Sequence, residues 1–360
     1  MDLVIFGAQG IALGAYEALS HLYPKRKISC FLVTKKDSNA ESLLGIPVKE
    51  LASFTDSLSQ QEKDQTEVLI ATPENVMEEI ETSLEQRGLF YHVRLTSDRC
   101  AELMRYRYIL TEEYKPLSVL PVGYHKADLH MYMAKSYKDK PLIHNYNLPE
   151  WIIPIQAGAA LCGERVAALL DCNGENISKK NGNYSELTVL YWIWKNCLYL
   201  PCVRLKGYYG LVHYRRILDF SADDLLRLMN NEVDVVLPYP MPYEPNIEVH
   251  HKRYLKDKDW DAVIMAVQEL YPEYMEDFRR ILKQRYLYNY NIMLAKAKIM
   301  KDYCEWLFTI LEKVEELSIP KGYERQDRYI GYIGETMTTL YFMANRTKLN
   351  IVHTGYKFLV

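Results

Sequence analysis

Short apolar runs alternate with amphipathic stretches over the first hundred residues. Residues 2–6, 28–33, 67–71 and 92–95 have strand length and strand composition. Between them, Gly7-Ala-Gln-Gly10-Ile-Ala-Leu-Gly14 turns the first run into a helix reaching about residue 22, and Pro73-Glu-Asn-Val-Met-Glu-Glu-Ile-Glu reads as another amphipathic helix. Strand–helix alternation predicts a parallel sheet of Rossmann type. A helical connector over 98–120, containing Lys115-Pro116, ends this small module, which is placed at 1–115 with a second domain over 116–360.

The second domain opens on an apolar segment, 117–124, that leads into His125 and Lys126. Residues 151–158 read as extended and 171–178 as a polar loop. Residues 186–196 read as a helix carrying Trp192 and Trp194. An apolar, aromatic strand runs through Gly210, and Ser221 caps a helix with Asp223 and Asp224 in its first turn. Residues 234–237 are another strand. Helices are expected over 260–283, 296–316 and about 326–344. Nothing repeats, and nothing is of low complexity.

Composition narrows the function classes. A net charge of −3 over 360 residues gives no electrostatic footing for nucleic acid. No apolar run reaches membrane-spanning length and no signal peptide is evident, so any membrane contact is expected to be peripheral. One segment, 283–301, mixes Tyr, Met and Lys with Arg285 and has the make-up either of a helix lying on a membrane or of a buried helix with basic ends. Seven cysteines (Cys30, Cys100, Cys162, Cys172, Cys197, Cys202 and Cys304) are scattered without a Cys-x-x-Cys pair, which points to a reduced, cytoplasmic protein. Thirty tyrosines offer flat apolar faces tipped with hydroxyls, a composition suited to sugar.

The glycine loop has the spacing G-x-x-G-x-x-x-G in place of G-x-G-x-x-G, and Thr34, Lys35 and Lys36 stand where a ribose-binding acid belongs. It either cradles a pyrophosphate or only makes a tight turn. The module resembles the small nucleotide- or CoA-binding-like domain at the front of some sugar-modifying enzymes.

The densest chemistry lies in Gly207-Tyr-Tyr-Gly-Leu-Val-His213-Tyr-Arg215-Arg216. Guanidiniums and an imidazole at the end of an apolar strand need an anionic partner, and the arginine fork fits phosphate oxygens in pairs. A diphosphate site is therefore expected at His213, Arg215 and Arg216, the alternative being ion pairs with internal acids. Asp171, Asn176, Ser178 and Asn181 crowd a second loop. Asp257-Lys-Asp259-Trp-Asp261 contains literal Asp-x-Asp matches but opens a helix, where carboxylates cap.

An ordered set of motifs makes the chain resemble a bacterial domain family encoded in capsule, exopolysaccharide and O-antigen clusters. The set runs His125-Lys126, Pro154-Ile-Gln-Ala-Gly158-Ala, Asp171-x-x-Gly-Glu-Asn-Ile-Ser178-x-x-Asn181, Glu186-Leu-Thr188-x-x-Tyr191-Trp-x-Trp-Lys-Asn196, Gly210-Leu-Val-His-Tyr-Arg-Arg216, Asn291-Ile-Met293, Tyr303-Cys-Glu-Trp-Leu-Phe308 and Arg328-Tyr-Ile-Gly331-x-x-x-Glu335. That family, long labelled as of unknown function, is regarded as glycosyltransferases with galactofuranosyl transfer. The resemblance covers about 120–350 and implies an α/β, GT-A-like domain behind the truncated Rossmann-like sheet.

It further implies a nucleotide sugar (a UDP donor) and a glycan or lipid-linked glycan acceptor as partners. No cofactor is implied, and the cationic run stands where a metal-binding Asp-x-Asp is usual. Donor-nucleotide contacts fall to His125, Lys126, Gly158, Asp171, Asn176, Ser178, Asn181, Glu186 and Thr188, and acceptor contacts to Asn291 and Arg328. Glu335 is the first choice as catalytic base, or else an ion-pair partner of Arg328. Asp234 and Asp327 follow. The loop at His250 and His251 departs from the family pattern. Two other classes remain open, an NAD-dependent sugar-nucleotide oxidoreductase and a non-catalytic nucleotide-binding scaffold.

Overall fold

The computed structural model describes residues 2–37, 39–199, 207–322 and 325–360. The chain falls into two compact units: 1–114 with 241–244 and Val360, and 115–240 with 245–359.

The first unit is built from β1 (Asp2–Phe6), α1 (Gly10–Leu22), β2 (Ile28–Val33), β3 (Ser42–Leu43), β4 (Ile46–Glu50), α2 (Leu51–Asp56), α3 (Gln60–Asp64), β5 (Thr66–Ile70), α4 (Met77–Glu85), β6 (His92–Arg94) and α5 (Ser97–Thr111). Its sheet order is β3-β4-β2-β1-β5-β6, parallel except for β3. Both faces are covered, as a parallel sheet requires. Leu3 and Ile5 of β1 pack on the α1 side, while Val4 and Phe6 pack with Phe54, Ile80 and Leu84 on the other. The fully buried Arg107 of α5 pairs with Glu17 of α1 at 2.7 Å.

Gly7, at φ +129°, makes the turn, while a Cβ on Gly10 would lie 2.9 Å from Met241 and one on Gly14 3.7 Å from Pro242. These two glycines, one helical turn apart, give the 241–244 segment room to lie against α1.

The second unit comprises β7 (Leu129–Lys135), β8 (Ile152–Gln156), β9 (Leu169–Leu170), α6 (Asn181–Tyr184), α7 (Leu187–Cys197), β10 (Tyr208–His213), β11 (Arg216–Leu218), α8 (Ala222–Asn230), β12 (Val235–Pro238), α9 (Ile247–His251), α10 (Asp257–Leu270), α11 (Met275–Lys283), β15 (Met293–Lys296), α12 (Ala297–Leu317), α13 (Tyr329–Ala344), β16 (Ile351–Thr354) and β17 (Tyr356–Phe358). The labels β13 and β14 belong to the two-residue strands Met241–Pro242, in the first unit, and Tyr286–Leu287. The sheet order is β16-β12-β15-β10-β7-β8-β9, with β15 antiparallel to both neighbours and the other ladders parallel. β11 extends β10 as a hairpin and pairs in turn with β17.

One expectation is corrected. Segment 283–301 is no continuous helix; it contains β15, a strand inside the sheet. The second unit's first strand is Leu129–Lys135, and 117–124 is a short 3₁₀ turn and loop. His125 and Lys126 are therefore exposed ahead of β7, at the edge of the sheet opposite His213, because β7 and β10 run parallel with Ala134 beside His213. Cys202 lies outside the described residues, and the other six cysteines are free thiols. Among the described residues no helix is long and apolar enough to cross a membrane.

Candidate functional site

In an open α/β sheet the ligand crevice lies beyond the carboxyl ends of the strands. β10 delivers His213 there, and the Tyr214-Arg215 turn returns the chain so that His213 and Arg216 pair across the hairpin. The two arginines consequently diverge. Arg215 donates from Nη2 to the carbonyl oxygens of Pro141 (3.0 Å) and Lys140 (3.4 Å). Arg216 lies over the rings of Tyr290 (4.2 Å) and Phe358 (4.9 Å) and hydrogen-bonds the Tyr290 hydroxyl. Neither is in an ion pair among the described residues. Hairpin geometry thus separates the two, and Arg216 is the one that faces the acids.

Those acids are Glu186, at the start of α7, and Glu335 of α13. Glu186 Oε1 accepts from Asn291 Nδ2 at 2.7 Å and lies 3.9 Å from His213 Nε2. Glu335 accepts from the Tyr290 backbone N–H at 3.0 Å and from Asn289 at 3.5 Å. Gly334 brings α13 this close, since a Cβ there would stand 2.7 Å from Leu187 and 3.0 Å from Asn291. Arg328, at the head of α13, gives its Nε to Ser185 Oγ at 3.0 Å and adds its field to the Glu335 carboxyl.

Electrostatics separate the roles of these groups. Burial first, and then the nearby Glu186 charge, push Glu335 up to about 8. Burial lowers His213, and the guanidiniums of Arg216 and Arg328 oppose the raising effect of Glu186. Burial thus disfavours the imidazolium form of His213. Four residues around the cluster (Ser185, Tyr290, Asn291 and Arg328) adopt positive φ, between +50° and +67°. None is glycine, so backbone strain is concentrated here.

Beside the hairpin lies a cavity of about 420 Å³ lined by Lys135, Ser136, Tyr137, His144, Tyr146 and Tyr214 among others. Lys135, Ser136 and Tyr137 follow from β7 and were missed in the sequence. The signal was present: an apolar run over 129–134 broken by Lys-Ser-Tyr, one strand later than the His125-Lys126 that drew notice.

The Asp171 loop is a positioning device. Asp171 is fully buried, and its two oxygens accept from Gly158 N (2.8 Å), Ala159 N (3.0 Å), Ser178 Oγ (2.5 Å) and Thr188 Oγ1 (2.7 Å). Asn181 bonds Ser185 O and Thr188, and a Cβ on Gly158 (φ +65°) would strike it at 2.8 Å. Asn176 closes a turn on Cys172 O and Gly174 O. These side chains, expected at the nucleotide, are engaged in shaping the carboxyl end of β8.

Two candidate acids stand apart. Asp234 precedes β12, at the sheet edge opposite His213, held by Lys296 (2.9 Å) and the Asn350 N–H (2.9 Å). Asp327 turns to Arg325 at 2.8 Å, which holds its carboxyl below the usual range against a raising effect of burial. Arg325 also grips the buried Asp259, so that Asp-x-Asp stretch is occupied by a structural pair and a capping bond from Lys256 N–H.

The fold has a counterpart of known class. The chain matches the solved structure of WbbM, a bifunctional glycosyltransferase in its apo form, with TM-score 0.55 and 26% identity over 64% of this chain and 45% of that one. Its fold is thus glycosyltransferase-like α/β, and it spans less than half of WbbM's length. The family described as a domain of unknown function (DUF4422) matches residues 142–346, and the chain belongs to that family. No curated protein matches it.

Proposed function

We propose that the protein is a glycosyltransferase that moves a hexosyl group, galactofuranose or galactose, from a UDP-linked donor to a glycan acceptor in bacterial capsule, exopolysaccharide or O-antigen synthesis. The observation that carries this reading is the convergence of Arg216 and His213 with Glu186 and Glu335 beyond the carboxyl end of β10. In this reading the nucleoside occupies the cavity under Tyr214, and the diphosphate lies along the β10–β11 turn. Arg216 binds phosphate oxygens and His213 donates one hydrogen bond. Together they stabilise the charge that develops on the leaving group, a task a divalent ion performs in other transferases.

The ionised Glu335 carboxylate takes the proton from an acceptor hydroxyl. The acceptor oxygen forms its bond to the anomeric carbon as the bond from that carbon to the phosphate oxygen breaks. The electron pair leaves with the nucleoside diphosphate. Glu186, fixed by Asn291, keeps Glu335 basic. Incubation with a panel of nucleotide sugars, detecting released nucleotide, tests the reading. UDP release from one sugar donor, lost in Arg216→Ala, is the expected result; no release from any donor would refute it.

A further inference from the structure

An aromatic pair beside the Glu186–Glu335 cluster is not used by the donor reading. Tyr254, in the turn after α9, stacks on Tyr332 of α13 with ring centroids 4.6 Å apart and planes 21° apart. Tyr254 is 47% exposed although it is one of the larger apolar faces of the unit. Tyr332 stands four residues after Arg328 and three before Glu335, so all three share one face of the helix. Its phenol lies within the electrostatic reach of Arg328, Glu335 and Glu186, and Tyr254 and Tyr290 are similarly coupled. An exposed aromatic face, backed by a ring that itself stands one helical turn from Glu335, is the kind of surface that the apolar C–H face of a sugar ring covers.

We propose that Tyr254, backed by Tyr332, is the platform on which a sugar ring of the acceptor lies, with its hydroxyl directed toward Glu335. This rests on the transferase reading and deepens it. The turn that carries Tyr254 directly follows His250 and His251, so the loop that departs from the family pattern is the one that selects the acceptor. Tyr254 is a specificity-determining residue in this view and Tyr332 a positioning residue.

Saturation-transfer NMR with the methyl glycosides of galactose, glucose, mannose and rhamnose tests the platform without requiring turnover. The expected result is transfer to ring C–H protons of at least one glycoside in the wild type. The signal should fall by about tenfold in Tyr254→Ala, the loss of one aromatic contact, and persist in Tyr254→Trp. Tyr332→Ala should weaken the signal, and Tyr332→Phe should restore it. Absence of transfer in the wild type, or an unchanged signal in Tyr254→Ala, overturns the proposal. The donor reading is judged separately by calorimetry with UDP, where Tyr254→Ala should bind as the wild type does. Loss of UDP binding in Tyr254→Ala would also count against the platform, whereas absence of UDP binding in the wild type would count against the donor reading alone.

Discussion

His213 and Arg216 face each other across the β10–β11 hairpin, and this pairing decides which of two adjacent arginines meets the site. Their neighbour Arg215 is held to the carbonyls of Lys140 and Pro141. Arg216→Ala should therefore weaken UDP binding by at least about tenfold, in the range of a lost charge-assisted hydrogen bond. Arg215→Ala should cost less. Arg216→Lys should fail to restore affinity, because an ammonium neither forks onto phosphate nor lies flat between Tyr290 and Phe358. Calorimetry with UDP on the three variants checks this.

Glu335→Gln should lower kcat by roughly 10²–10⁴, the usual weight of a general base. With the carboxyl at about 8, the ionised form accumulates only as pH rises through that value. Turnover in the wild type should climb between about pH 7 and 9, and the Gln variant should show no such limb. A pH–rate profile at saturating donor decides it.

The same shift has a stability signature. A carboxyl at about 8 when folded and 4.5 when unfolded keeps its proton better in the native state. Its contribution is complete below pH 4.5 and is lost as pH rises to about 8. Glu335→Gln should flatten that part of the stability curve and melt higher than the wild type at pH 9, read by thermal denaturation across pH 5–9.

Asp171→Ala should destabilise the fold by about 3–5 kcal/mol, since two backbone N–H groups and two hydroxyls lose a buried acceptor together. By contrast Asp234→Asn, at the far edge of the sheet, should leave kcat/KM unchanged while costing about 1 kcal/mol of stability. Urea titration alongside kinetics separates the two.

Elements with strong local signals were legible in the sequence. Ser221 does cap α8 in a capping box with Asp224, and residues 2–6, 28–33 and 152–156 are strands. The end of β10 was legible too, because arginine and histidine closing an apolar strand conflict with burial unless they have a task. What escaped were relationships that depend on direction. Period-two alternation does not reveal that a hairpin sends Arg215 and Arg216 apart. A His-Lys pair three residues ahead of a strand gives no sign of which edge of the sheet it occupies. Segment 283–301 has helical composition, yet tertiary pairing on both sides makes residues 293–296 a strand. Tyr290 and Tyr254 carry no motif at all, and only the packing of α13 brings Tyr290 to Glu335 and Tyr254 to Tyr332.

Ser185, Tyr290, Asn291 and Arg328 hold left-sided backbone angles that most side chains avoid, at roughly 1–3 kcal/mol each. A search for heat-tolerant variants would be drawn to these positions, where Arg328→Gly or Tyr290→Gly relaxes the main chain. Each such gain would remove a group that frames the Glu186 and Glu335 carboxylates, on which the proposed transfer depends. Robustness and turnover are thus set against each other at the same four residues, and a hardened form of this protein is expected to be a slow one.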